Sequence, residues 1–264
     1  YEKDGWYEVM YTAGVATIDA VVNDATELGV AIEGGKKNIV LAAGVYGTIL
    51  AKTGITYIGS EEAKVDCINL NGADNVTIKN ITFAGEHFGV FGGVYGAKNY
   101  KTRLESVQIV NNGIYCYNKN GSIPIAAFSN LGEATLENCT IHGTHWVGAA
   151  KDKNTYAQNS INNFGGVYDV FVPNDGVTNI SNSEIGRIFL HNHGKLVVTG
   201  NSVVGQIISP QLVNGKITIE ANAEVTLINV NQYSTKYPPS VNIKSGAKVE
   251  TLQLNSINKS KVII

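Results

Sequence analysis

The chain has 264 residues with 29 Gly, only 5 Pro and a formal net charge of -2. That length accommodates one large β domain, and the balanced charge provides no basic field for nucleic acid and no strongly acidic face. No apolar run approaches the roughly 18 residues of a membrane span, and Tyr1 opens without a signal-like segment, so we expect a mature or excised portion of something longer.

Residues 1–35 stand apart from the rest. "DGWYEVMY" predicts a strand, and Val15, Ile18, Val21, Val22, Ala25 and Leu28 fall near helical spacing with Gly29 as a stop. A stack of repeats exposes apolar core at an open end. We therefore read 1–35 as an N-terminal strand and a short capping helix, and 36–264 as the stack. "NIVLAAGVYGTI" and "GITYIGS" start it. From "NVTIKNITFAG" onward a degenerate unit recurs, as "TRLESVQIVNNG", "ATLENCTIHGT", "TNISNSEIGRI", "LVVTGNSVVGQI", "KITIEANAEV" and "VNIKSGAKVE".

The repeat aligns two inward columns. Ile78, Leu104, Leu136, Ala157, Ile180, Val198, Ile219 and Ile243 precede a bend; Phe83, Ile109, Ile141, Phe164, Ile185, Val204, Val225 and Val249 follow it. At the bend stand Asn80, Ser106, Asn138, Asn159, Asn182, Gly200, Ala221 and Ser245. Successive separations of about 18 to 32 residues are typical of β solenoids rather than helical repeats. Asn tolerates the left-handed backbone region, so the column predicts stacked αL turns, changing where the bend gains a residue after Gly200. Cys67, Cys116 and Cys139 fit no metal pattern and read as buried free thiols.

These units, with the opening "NIVLAAGVYGTI", resemble coils of the right-handed parallel β-helix, the pectate-lyase-like superfamily, over about residues 36 to 264. The resemblance implies an all-β parallel β-helix solenoid. It leaves function open, because this architecture hosts lyases, hydrolases, esterases, tail spikes and noncatalytic surface proteins. Family lyases use a base with a cation held by several carboxylates, and family hydrolases use an Asp doublet with "G-H-G"; neither pattern occurs here.

Three sets of residues are candidates for chemistry. An outward column holds Lys79, Glu105, Glu137, Gln158, Ser181, Thr199, Glu220 and Lys244, in which Glu105 and Glu137 on adjacent repeats, with a spacing of about 5 Å, form a pair able to raise one carboxyl pKa. With Arg103, His142 and His145 they form the catalytic group to test, against the alternative of a solvated polar face. His191 and His193 point the same way if Asn192 is extended, with Asp169 or Asp175 as a third ligand. HxH is short and common, so no metal and no cofactor are assigned. The third set is aromatic: alternation sets Tyr115, Tyr117, Trp146, Tyr168 and Phe189 outward as a stacking file for sugar rings, against the alternative of rings packed under the long loops.

The expectation is an extracellular or cell-surface bacterial domain, noncatalytic, whose partner is a polysaccharide or surface glycan contacted by the aromatic long-loop face near residues 86 to 171. The alternatives are a polysaccharide lyase or glycoside hydrolase acting on uronate-type polymers, and a structural or adhesive rod that self-associates through its C-terminal end.

Overall fold

The computed structural model describes residues 17–70, 72–83, 89–91, 100–111, 125–129, 132–143, 167–232, 236–255 and 261–263. The described residues form an all-β fold with one helix and two stacked sheets, and every strand pairing among them is parallel. With strands numbered along the chain, the first sheet runs in the order β1 (Ala20–Val22), β2 (Asn38–Leu41), β4 (Thr56–Gly59), β6 (Val76–Lys79), β9 (Lys101–Glu105), β12 (Glu133–Glu137), β15 (Val177–Ser181), β17 (Lys195–Thr199), β19 (Lys216–Ile219), β21 (Ser240–Ile243) and β23 (Lys261–Ile263). The second runs β13 (Thr140–Gly143), β10 (Gln108–Asn111), β7 (Thr82–Phe83), β5 (Ala63–Asn69), β8 (Gly89–Phe91), β11 (Ile125–Ser129), β14 (Val167–Val172), β16 (Glu184–Leu190), β18 (Val203–Leu212), β20 (Glu224–Gln232) and β22 (Lys248–Asn255), with β3 (Gly44–Leu50) on β5. The chain alternates between sheets, so each strand pairs with its equivalent in the next repeat. No helix among the described residues is long and apolar enough to cross a membrane.

Both sequence-derived columns exist as ladders. Leu104 is opposite Ile78 and Leu136, and the line continues through Ile180, Val198, Ile219 and Ile243. Phe83, Ile109, Ile141, Ile185, Val204, Val225 and Val249 form the second. Leu136 pairs directly with Ile180 and Ile141 with Ile185, while Ala157, Asn159 and Phe164 lie outside the described residues.

A third inward column was missed. It runs Ile49, Ile68, then Phe128, Val170, Ile188, Ile207, Ile228 and Leu252. In β16 the core residues Ile185 and Ile188 are three apart, as are Val204 and Ile207 in β18, so strict alternation breaks there. The break divides part of the second sheet into two tracks. β7, β10 and β13 pair along one, β8, β11 and β14 along the other, and β5 and β16 pair with both.

The bends turn as expected. Asn80, Ser106, Asn138 and Asn182 have φ of 53, 54, 53 and 48, and Gly200 has 63. Each of the first three donates its backbone N–H to the carbonyl one repeat on, from Asn80 to Glu105, Ser106 to Glu137 and Asn138 to Ser181, at 3.0, 2.9 and 3.1 Å. The αL position then moves one residue later, to Asn222 and Gly246. At Gly200 a Cβ would lie 2.4 Å from Asn182 Oδ1, an oxygen that accepts from Asn201 N at 3.1 Å.

The N-terminal elements differ from the sequence reading. Residues 20–22 form β1, paired with β2, and the helix α1 spans Ala25–Glu33, running through Gly29 to a cap at Gly34. Asp24 is its N-cap, accepting from Glu27 N at 2.8 Å, which explains why the helix starts there. α1 packs on β1, β2 and β3 with Leu28 in the core, at the end of the first sheet. Cysteine is also corrected: Cys67 is disulfide-bonded, while Cys139 is free and buried, its thiol pushed up to about 11 chiefly by burial.

Leu136→Ala should lower stability by about 2–5 kcal/mol in denaturant unfolding, since Leu136 is fully buried. At the bend, Asn138→Gly should be near neutral and Asn138→Val should cost about 1–2 kcal/mol, because only Gly enters the αL region freely.

Candidate functional site

The outward column of the first sheet is assembled except for Gln158, which lies outside the described residues. Lys79 is opposite Glu105, Glu105 opposite Glu137, and Glu137 opposite Ser181. The adjacent line runs Thr77, Arg103, Thr135 and Asn179, and the one beyond it sets Lys101 against Glu133. Charges on this face are matched. Lys79 Nζ is 2.9 Å from Glu105 Oε2, Arg103 Nε is 3.5 Å from the same oxygen, and the Arg103 guanidinium also pairs with Glu137. Lys101 and Glu133 approach to 3.8 Å.

Burial acts to raise the Glu105 pKa, but the Lys79 and Arg103 contacts outweigh it and hold the carboxyl below its ordinary value of 4.5. The expected mutual raising of two neighbouring carboxylates therefore does not occur at Glu105. Arg103 sits between the two glutamates and pairs with both, and together with Lys79 it balances their charge. Such a group suits recognition better than proton donation, which needs a carboxyl kept protonated near neutral pH.

Beside this network lies a shallow pocket of about 210 Å³, lined by Asn75, Thr77, Lys101, Arg103, Glu133 and Thr135 with Val76 and Thr102. Asn75, at φ 53, and Asp74 shape its rim: Asp74 Oδ1 accepts from Asn75 N at 2.8 Å and from Lys101 N at 2.7 Å. The lining offers hydroxyl, amide, ammonium and guanidinium donors with carboxylate acceptors. That chemistry fits a polyhydroxylated ligand.

Of the other expected site residues, those whose side chains are described, His142 and Phe189, lie away from it. His142 belongs to β13 in the second sheet, is largely buried and has Nε2 3.7 Å from Glu184 Oε1. His145, Tyr115, Tyr117 and Trp146 lie outside the described residues. Tyr168 is in β14 opposite Ala126. Phe189 does turn away from the core, but it is only 1% exposed, which corrects its place in an exposed file.

Phe189 belongs to a buried strip on the outer side of the second sheet. Its ring stacks on Phe171 at 5.5 Å and on His191 at 6.2 Å, with Ile208 completing the cluster. Alongside, Asp169 Oδ2 accepts from Arg187 N at 2.6 Å, and Arg187 Nε reaches Gln206 Oε1 at 3.4 Å. Burial, with His193 adding to it, holds the His191 imidazole below its ordinary pKa. The sequence contained the signal for this strip. Aligning "YDVFV", "GRIFLH" and "GQIIS" on Val170, Ile188 and Ile207 sets Asp169, Arg187 and Gln206 in one line.

The two histidines part company at Asn192, whose φ of 28 breaks the extended backbone that would have aimed both rings one way. His193 instead lies 3.2 Å from Asp175 Oδ1. Among the described residues no three His, Cys, Asp or Glu side chains gather in a metal-holding group.

Because Glu105 is depressed on folding, its stabilising contribution is present above its unfolded value and lost as pH falls through the lower folded one. Unfolding midpoints measured from about pH 6 to about pH 3 should therefore fall less steeply in Glu105→Gln than in the parent chain.

In comparisons with known families, curated proteins and solved structures, this chain matches no family model, no curated protein and no solved structure.

Proposed function

We propose that this chain is a right-handed parallel β-helix domain of pectate-lyase-like architecture that recognises polysaccharide outside the cell or at its surface, without turning it over. The two sheets in continuous parallel register and the third inward column support the β-helix reading: three inward columns correspond to three faces around one core. The disulfide at Cys67 favours an oxidising compartment.

The observation that carries the binding reading is the pocket between β6, β9 and β12, with Thr77, Arg103 and Thr135 in one ladder across it. Parallel strands repeat at about 4.8 Å, so this face offers an extended chain a hydrogen-bonding group on each successive strand. Compensation of Glu105 and Glu137 by Lys79 and Arg103 supports binding over hydrolysis or elimination.

A structural or adhesive rod is the second reading. It draws on the last strands of the two sheets, where Ile243 of β21 and Val249, Leu252 and Leu254 of β22 are only partly buried. Self-association would appear as a concentration-dependent sedimentation coefficient, and a constant one would remove this reading.

A glycan array on the purified chain, with product formation followed for every bound polymer, tests the first reading. We expect binding without turnover and its loss in the Thr77→Val/Thr135→Val double variant. Depolymerisation, or binding indifferent to that variant, would sink it.

A further inference from the structure

The outer face of the first sheet changes character beyond β12. Up to that strand its basic side chains have glutamate partners: Lys79 with Glu105, Arg103 with Glu137, and Lys101 with Glu133. The Lys101–Glu133 line then continues through Val177, Lys195, Lys216, Ser240 and Lys261, with no acid in it. Lys195 and Lys216 are directly opposite each other, and both are exposed. Neither makes an ion pair among the described residues. Asp175, on the turn before β15, faces His193 instead.

Two like charges across a parallel ladder, about 4.8 Å apart at the backbone, disfavour the fold. Nothing in the packing requires lysine there, since both positions face solvent. A local rule broken without a structural return is the mark of a position kept for a ligand. In the neighbouring line Val197 and Thr218 stand next to the two lysines, and the flanking strands β15 and β21 add the part-buried amides of Asn179 and Asn242.

We propose that Lys195 and Lys216 form an anion track for a sulfate-bearing polysaccharide lying across β17 and β19. The proposal rests on the reading that this face meets a polysaccharide, but it uses different residues from the pocket. An anionic group between the two ammonium groups converts their repulsion into two attractions, while the amides serve ring hydroxyls. Sulfate is favoured over carboxylate because lysine acts as a point charge with freely turning donors, whereas carboxylate recognition favours the planar fork of arginine. Neither line contributes a free arginine at these strands: the first-sheet arginine, Arg103, is engaged by Glu105 and Glu137.

The test is binding of the whole chain to immobilised dextran sulfate, neutral dextran and polygalacturonate at low and high salt. Dextran sulfate should bind in a salt-sensitive way, and Lys195→Gln/Lys216→Gln should weaken it about tenfold. That variant should unfold at an equal or higher denaturant midpoint, because a repulsion has been removed, so lost binding would not reflect lost fold. Dextran sulfate binding unchanged in the variant, or polygalacturonate bound as tightly, would overturn the proposal. Binding of array glycans that depends on Thr77 and Thr135 is read separately, so either reading can fail while the other stands.

Discussion

The structure depends on one constraint: every strand must lie in register with its equivalent one repeat away. A strand slipped by one residue would turn its apolar side outward, exposing the column that joins Ile78 to Ile243. The αL bend enforces that register. Its residue turns the chain sharply and spends its own N–H on the carbonyl of the next repeat, as Asn80 does with Glu105. Side chain and backbone thus specify the same alignment, and a fully buried interior of Ile, Leu and Val follows from it. Register outranks sequence distance: β12 meets β15 directly although 39 residues separate Glu137 and Val177.

Register also distributes charge. Because equivalent positions stack, each outward residue acquires two fixed neighbours, and the sign of those neighbours sets its behaviour. Glu105 between Lys79 and Glu137, with Arg103 bridging, is held as a carboxylate. The same geometry leaves Lys195 against Lys216. One face therefore carries a compensated polar surface at β6–β12 and a basic one at β17–β19. On the outer side of the second sheet the stacking produces a buried line of Asp169, Arg187 and Gln206, where the hydrogen bonds between them offset the loss of water.

Much of this was legible in the sequence because period two and a recurring Asn are strong local signals. They located two columns, the αL bends, the later shift of the bend and the Lys79–Glu105–Glu137 line. They did not locate the third column, since a three-residue gap between Ile185 and Ile188 hides it from an alternation rule. Helix spacing misplaced α1, because the alternating residues of β1 satisfied a helical pattern over too short a window.

For the candidate site, the sequence by itself determined which residues share an outward line, because facing direction in a strand follows from position alone. Only the tertiary structure decided what those residues do to one another: Arg103 and Lys79 balance the two glutamates, His142 lies in the other sheet, and Phe189 is buried while turned away from the core. Those outcomes depend on which strands become neighbours and what covers them. Both are set by contacts between residues far apart in the chain, to which local periodicity is blind.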